Sequence, residues 1–206
     1  MQPIRVMLVT VVLAFSVGTC AKADGPIQLA LWPPDVQLLA EEESVRGLRL
    51  NVYGRNLNVA GVDIGFVHES SGEFKGVAFG LASLVDGGMK GFQWTWIYSR
   101  AGGESAGWQA AVLSRADGGL QGLQTSALNL NEGDTAGVQI AWIYNHAATH
   151  ISGAQVGLVN RAISVKGLQL GLVNLTEQLD GLQLGLWNQI DAKENWTILP
   201  IVNWKF

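Results

Sequence analysis

One phrase constrains this chain more than any other: Gly-Leu-Gln-Leu-Gly-Leu, a large apolar residue, then Asn, written twice between Gly167 and Asn188. Aligned on its first glycine, the phrase recurs at Gly47, Gly61, Gly76, Gly91, Gly107, Gly122, Gly137, Gly153, Gly167 and Gly181, with a degenerate copy at Asn195. Every glycine-to-glycine spacing is 14, 15 or 16 residues. A fixed period of this kind marks a repeat architecture, in which each unit buries its surface against its neighbours.

Positions are counted below from each anchor glycine. Positions +1, +3 and +5 are apolar almost throughout, as in Val62, Ile64 and Phe66 or Phe92, Trp94 and Trp96. Of the 33 such positions only Thr125 is clearly polar. Alternation sustained at period two specifies strands, because a helix would return apolar residues at three and four. Position +2 is commonly Gln (Gln93, Gln109, Gln124, Gln139, Gln155, Gln169, Gln183), and position +4 is usually small. Glycine inside a strand weakens it unless something must come close. The +2 glutamines read as a structural hydrogen-bonding ladder, with a polar ligand ring as the sharper alternative. Short polar links such as Arg115 to Gly119 and Asn131 to Asp134 separate the alternating runs.

The fold class is therefore all-β. A unit of this length is either one strand plus a turn in an antiparallel meander or one coil of a β-solenoid. The meander is the better fit, because each unit shows one long alternating run and no second apolar strand. About eleven such strands would close into a shallow barrel or flower-like ring and so remove their edges. The +1 to +5 band is only roughly 13 Å tall at about 3.3 Å per residue, against about 25 Å for the lipid-facing band of an outer-membrane barrel. That favours an apolar ring interior. The ending Trp196, Ile198, Pro200, Val202, Trp204, Phe206 argues the other way, since it alternates to a terminal aromatic as outer-membrane barrels do.

Residues 1–23 read as a signal peptide, with Arg5, an apolar run from Val6 to Val17, and Ala21-Lys22-Ala23 at the cleavage site. Cleavage would leave 11 basic and 17 acidic residues, a net charge of −6. Alternatively Val17-Gly18-Thr19-Cys20 loosely resembles a lipobox with Cys20 lipidated. Both readings export the chain, to the outer membrane, surface or periplasm of a Gram-negative-type bacterium. Residues 24–44 form a lead-in and 45–206 a single β-repeat domain. Ile27 to Trp32 alternates like a short strand stopped by Pro33-Pro34, and Glu41 to Glu43 reads as a solvated turn or short helix.

An acidic chain lacks the basic footprint that nucleic acid requires. His146 and His150 have H-x3-H spacing but fall in a link, and His68 is the only other histidine, so no metal site is expected. Glu132 and Asp134 lack the Asp-rich repeat of calcium-binding solenoids. Gly61-x-Asp63-x-Gly65 lies within strand alternation and is no phosphate loop. Asn174-Leu175-Thr176 and Asn195-Trp196-Thr197 match a glycosylation sequon that is easily met by chance. No serine or cysteine nucleophile has a recognisable setting. No cofactor and no catalytic activity are expected.

GLQLGLVN, GLQLGLWN, the opening VRGLRLNVYGRNLNVAGVDIGFV and the ending LPIVNWKF resemble a family of bacterial surface-repeat proteins and lipoproteins. The resemblance covers residues 27–206. It implies an exported, surface-associated protein without enzymatic activity, in some members a flower-like shallow β-barrel. A membrane surface or an apolar ligand is the expected partner; the alternative function is an integral outer-membrane barrel or small pore.

Overall fold

The computed structural model describes residues 24–194 and 197–206. Residues 1–23, where the signal peptide and Cys20 lipidation are expected, and the degenerate anchor Asn195 with its neighbour Trp196 lie outside the described residues. The strands are β1 (Gly25–Trp32), β2 (Val36–Gln37), β3 (Val45–Asn56), β4 (Val59–Ser70), β5 (Phe74–Val85) and β6 (Met89–Ala101). They continue with β7 (Ser105–Ala116), β8 (Leu120–Asn131), β9 (Thr135–Val156), β10 (Val159–Leu170), β11 (Val173–Ile190) and β12 (Ile198–Lys205). Their order is β12 to β3 without a crossover, then β1 and β2.

Every ladder from β3 to β11 is parallel and in register, with Gly47 opposite Gly61, Gly61 opposite Gly76, and onward to Gly167 opposite Gly181. The chain is a β-solenoid, a stack of coils. The ten anchors enclose nine turns, each climbing about one strand spacing of 4.8 Å. The expected antiparallel meander and its closure into a barrel or ring are not what the chain forms. The lead-in joins the stack: β1 runs parallel to β3, with Ile27 opposite Leu48 and Leu29 opposite Leu50. Glu41 to Glu43 lie in a turn. The two ends are closed by antiparallel strands, β2 on β1 and β12 on β11. The alternating C-terminal segment is thus a cap, and Phe206 at its end is 89% exposed.

The anchor glycines explain the parallel register. All ten have φ between +124° and +150°, a region closed to side chains. A Cβ on Gly137 would lie 1.9 Å from the carbonyl oxygen of Gly122, and one on Gly153 would lie 1.9 Å from that of Gly137. Only a column of glycines lets these backbones stack.

The inward positions reverse the expected polarity. Position −2 is mostly apolar (Val45, Val59, Phe74, Met89, Leu120, Ile151) and packs with small or apolar residues near +9, such as Val85, Ala101 and Ala147. Positions +2 and +7 are also buried, and apart from Ala78 and Gly54 they are amides, hydroxyls and one ionic cluster. The +1, +3 and +5 side chains, expected to line an apolar interior, point outward. Each unit does contain a second inward strand at +7 and +9, but it is polar and small rather than apolar. A search for a second apolar strand passes over it.

Candidate functional site

The interior is held by two amide ladders that run in opposite directions. From Gln109 to Gln183, each glutamine Nε2 donates to the Oε1 of the glutamine one coil earlier, at 3.3 to 2.7 Å. From Asn129 to Asn174, each asparagine Nδ2 donates to the Oδ1 one coil later, at 2.9 to 2.7 Å. The second amide hydrogen fixes both directions. Gln155 donates across the coil to the Arg161 carbonyl at 3.2 Å, and Asn160 donates to the Leu170 carbonyl at 2.9 Å. Each ladder therefore ends on an unused acceptor, Gln183 Oε1 at the C-terminal end and Asn129 Oδ1 at the other. The +2 glutamines have no solvent exposure, so they form a structural ladder with no open ring for a ligand.

Toward the N-terminus the +2 level changes from Gln93 to Ala78, Asp63 and Arg49. Arg49 Nη2 lies 2.5 Å from Asp63 Oδ2, and His68 Nδ1 lies 2.8 Å from Asp63 Oδ1, all three side chains being buried. Asn51 Nδ2 donates to Asp63 Oδ1 at 2.9 Å, and Arg49 Nη1 donates to the Glu69 carbonyl at 2.9 Å. Burial alone would raise the Asp63 carboxyl, but the Arg49 charge and the His68 hydrogen bond outweigh it and hold it below the usual carboxylate range. His68 thus belongs to this cluster rather than to a metal site. Asp63, read above only as part of a glycine-flanked strand, is its centre. Its signal in the sequence was a carboxylate at a level where other coils carry amides.

His146 and His150 both lie within β9, not in a link. His146 stacks on Tyr144 with ring centroids 5.9 Å apart, and burial pushes its imidazole below the usual value. His150 Nδ1 faces Ser164 Oγ at 3.2 Å. Among the described residues no three His, Cys, Asp or Glu side chains gather as metal ligands. Glu132 instead faces Arg115 at 3.5 Å.

The outer surface is segregated. Ion-pair ladders such as Glu41–Arg55–Glu69 at 3.5 and 3.2 Å and Asp86–Arg100–Asp117 at 3.6 and 2.8 Å lie away from +1 to +5, while Arg46, Lys75, Lys90, Lys166 and Asp180 stand at −1 and Lys193 Nζ lies 5.5 Å from the Trp204 ring. The +1, +3 and +5 columns from Leu48 to Leu186 contain no charged residue. Their one hydroxyl, Thr125 Oγ1, accepts from Trp108 Nε1 at 2.7 Å. Ile27 and Leu29 of β1, and Val202 and Trp204 of β12, extend the columns over both caps. The face measures roughly 53 Å by 13 Å, or about 700 Å², from strand spacing and rise. The largest apolar patch on an ordinary monomer covers about 300–600 Å².

Two tryptophans stand out from this face for a local reason. The units that begin at Gly91 and Gly137 have sixteen residues and place the extra one at the +5 corner. There Trp96-Ile97 opposes the single Leu81, and Trp142-Ile143 opposes the single Ala127. Such bulges re-aim a side chain. Trp96 is 71% and Trp142 83% exposed.

Beyond Trp142 the face carries an apolar groove of about 590 Å³. Its floor is the backbone of Gly157, Gly171 and Gly185, one wall is Leu158, Leu172 and Leu186, and Ile201 of β12 closes the far end. Ile201 holds φ at +70°, an outlier for a β-branched residue.

No protein-family model, curated protein or solved structure matches this chain.

Proposed function

We propose that this chain is an exported, non-catalytic protein of the cell envelope, a β-solenoid that rests on a membrane through its uncharged face. The observation that carries this reading is the pair of bulges that thrust Trp96 and Trp142 out of that face. A soluble protein gains nothing by spending an extra residue to expose an indole. At a membrane surface, indole sits favourably at the headgroup level. The flat, charge-free columns between the two tryptophans suit an apolar boundary, while the ion-pair ladders remain in water on the other sides. The signal sequence and the resemblance to surface-repeat proteins support the same location. The side-chain-filled coils favour peripheral association over an integral barrel or pore.

Fractionation of native envelopes tests the reading. The mature chain should stay with the membranes through a high-salt wash, because the attachment is apolar, and should leave in alkaline carbonate, because nothing spans the bilayer. Recovery wholly in the soluble periplasmic fraction would overturn the proposal.

A further inference from the structure

Resting on the membrane reading, we infer that the groove between Trp142 and Ile201 is a seat for one acyl chain of a membrane lipid. The backbone of its two middle coils offers an occupant no polar partner. The floor amides of Gly157 and Gly171 donate to the Leu170 and Leu184 carbonyls at 3.0 Å, and the Leu158 and Leu172 carbonyls accept from Val173 and Trp187 at 3.0 and 2.9 Å. The Leu170 and Leu184 carbonyls accept a second bond from the asparagine ladder, each at 2.9 Å. A peptide strand laid in this groove would find no backbone hydrogen bond and would leave its own polar groups unpaired, a cost of several kcal/mol or more over its length. A hydrocarbon chain carries no such groups and brings no charge to a wall that has none.

The length agrees. From the Gly137 coil to β12 there are four strand spacings, or roughly 19 Å at about 4.8 Å each. One leaflet contributes about half of a hydrocarbon core that is about 30 Å thick, so an extended lipid chain fills most of the groove. Gly157, Gly171 and Gly185 are required from within, since a Cβ on each would meet the interior asparagine ladder, as at 2.8 Å from Asn145 Nδ2 for Gly157. Ile201 closes the end in a backbone conformation that costs on the order of 1–3 kcal/mol. Strain of that kind persists where a side chain must occupy one place.

Vesicles of phosphatidylcholine carrying a photoactivatable acyl chain, mixed with the mature chain and irradiated, would report the seat by mass spectrometry of the adducts. Adducts concentrated between Trp142 and Ile201 are expected. Leu172→Trp, an exposed position on the groove wall, should lower labelling there roughly tenfold while flotation with vesicles persists. Val52→Trp, in the same column at the other end of the face, should leave labelling unchanged. Labelling spread evenly along the face would overturn the groove assignment while leaving membrane docking intact. Loss of flotation by the unmodified chain would instead remove the reading on which the groove rests.

Discussion

Gln155 donates to Gln139 at 2.9 Å, one coil apart, from a position with no solvent exposure. The same amide bonds its own coil at the Arg161 carbonyl, so a single side chain ties a coil across its width and to its predecessor. The interior is an amide lattice, and its stability depends on leaving no member unpaired.

Replacing Gln139 with Leu keeps the approximate volume and deletes the amide. Gln124 Oε1 loses its donor, Gln155 Nε2 loses an acceptor, and the His146 carbonyl loses its side-chain partner. Each buried group left unmatched costs about 1–3 kcal/mol. Urea denaturation should show a loss of roughly 2–5 kcal/mol. A loss below about 0.5 kcal/mol, the range of ordinary surface substitutions, would contradict the ladder's role.

Gly137→Ala should destabilise the stack by a different route. The residue sits at φ +150°, and its Cβ would be 1.9 Å from the Gly122 carbonyl oxygen, a backbone atom that cannot swing away. The expected loss exceeds about 2 kcal/mol and should appear as a large fall in the thermal midpoint, or as a chain that no longer gives a strand circular dichroism spectrum.

These two positions show how much of the fold was legible beforehand. The glycine period and the apolar columns were plain in the sequence, because backbone stacking tolerates no side chain at the anchors and the alternation runs almost unbroken. The handedness of the pattern, which face lies inside, was not. An interior is normally apolar, and here Leu48, Leu50 and Val52 lie outside while Arg49 and Asn51 lie inside. Register turned the wrong way for a related reason. Asn160 and Asn174 lie past the alternating run and carry no apolar signal, yet they belong to the second inward strand of their coils. The groove was not legible at all, since it depends on the capping strand pairing antiparallel, with Ile201 opposite Gly185 beside a register shift.

The buried Asp63 makes the N-terminal end sensitive to acid. Its folded carboxyl lies below the unfolded value of about 3.9, so between those two values the unfolded chain binds more protons than the folded one. The stabilisation is complete above the unfolded value and is lost as pH falls toward the folded one. Urea midpoints should hold steady above about pH 5 and drop below about pH 4. Asp63→Asn should lower stability at neutral pH and flatten that acid limb; an unchanged limb would show that other carboxylates dominate it.

Tyr53 gives the opposite sign. Its hydroxyl donates to Glu69 Oε2 at 2.6 Å, and that bond, helped by burial, raises its pKa to about 12. The contribution is present below the ordinary tyrosine value of about 10 and is lost as pH rises through about 12. Ultraviolet titration should show one of the three tyrosines ionising well after the ordinary range, and Glu69→Gln should bring it back. Three tyrosines ionising together near their ordinary value would contradict the contact.

Flotation of the purified chain from residue 24 onward with phosphatidylcholine vesicles, compared with Trp96→Glu/Trp142→Glu, tests the central claim most directly. Both side chains are exposed, so the double variant should keep the wild-type thermal midpoint. The account predicts that the wild-type chain floats with the vesicles and the variant stays in the lower fraction. A wild-type chain that stays below, or a variant that floats equally well, would contradict the claim that the outward tryptophans make this face a membrane-docking surface.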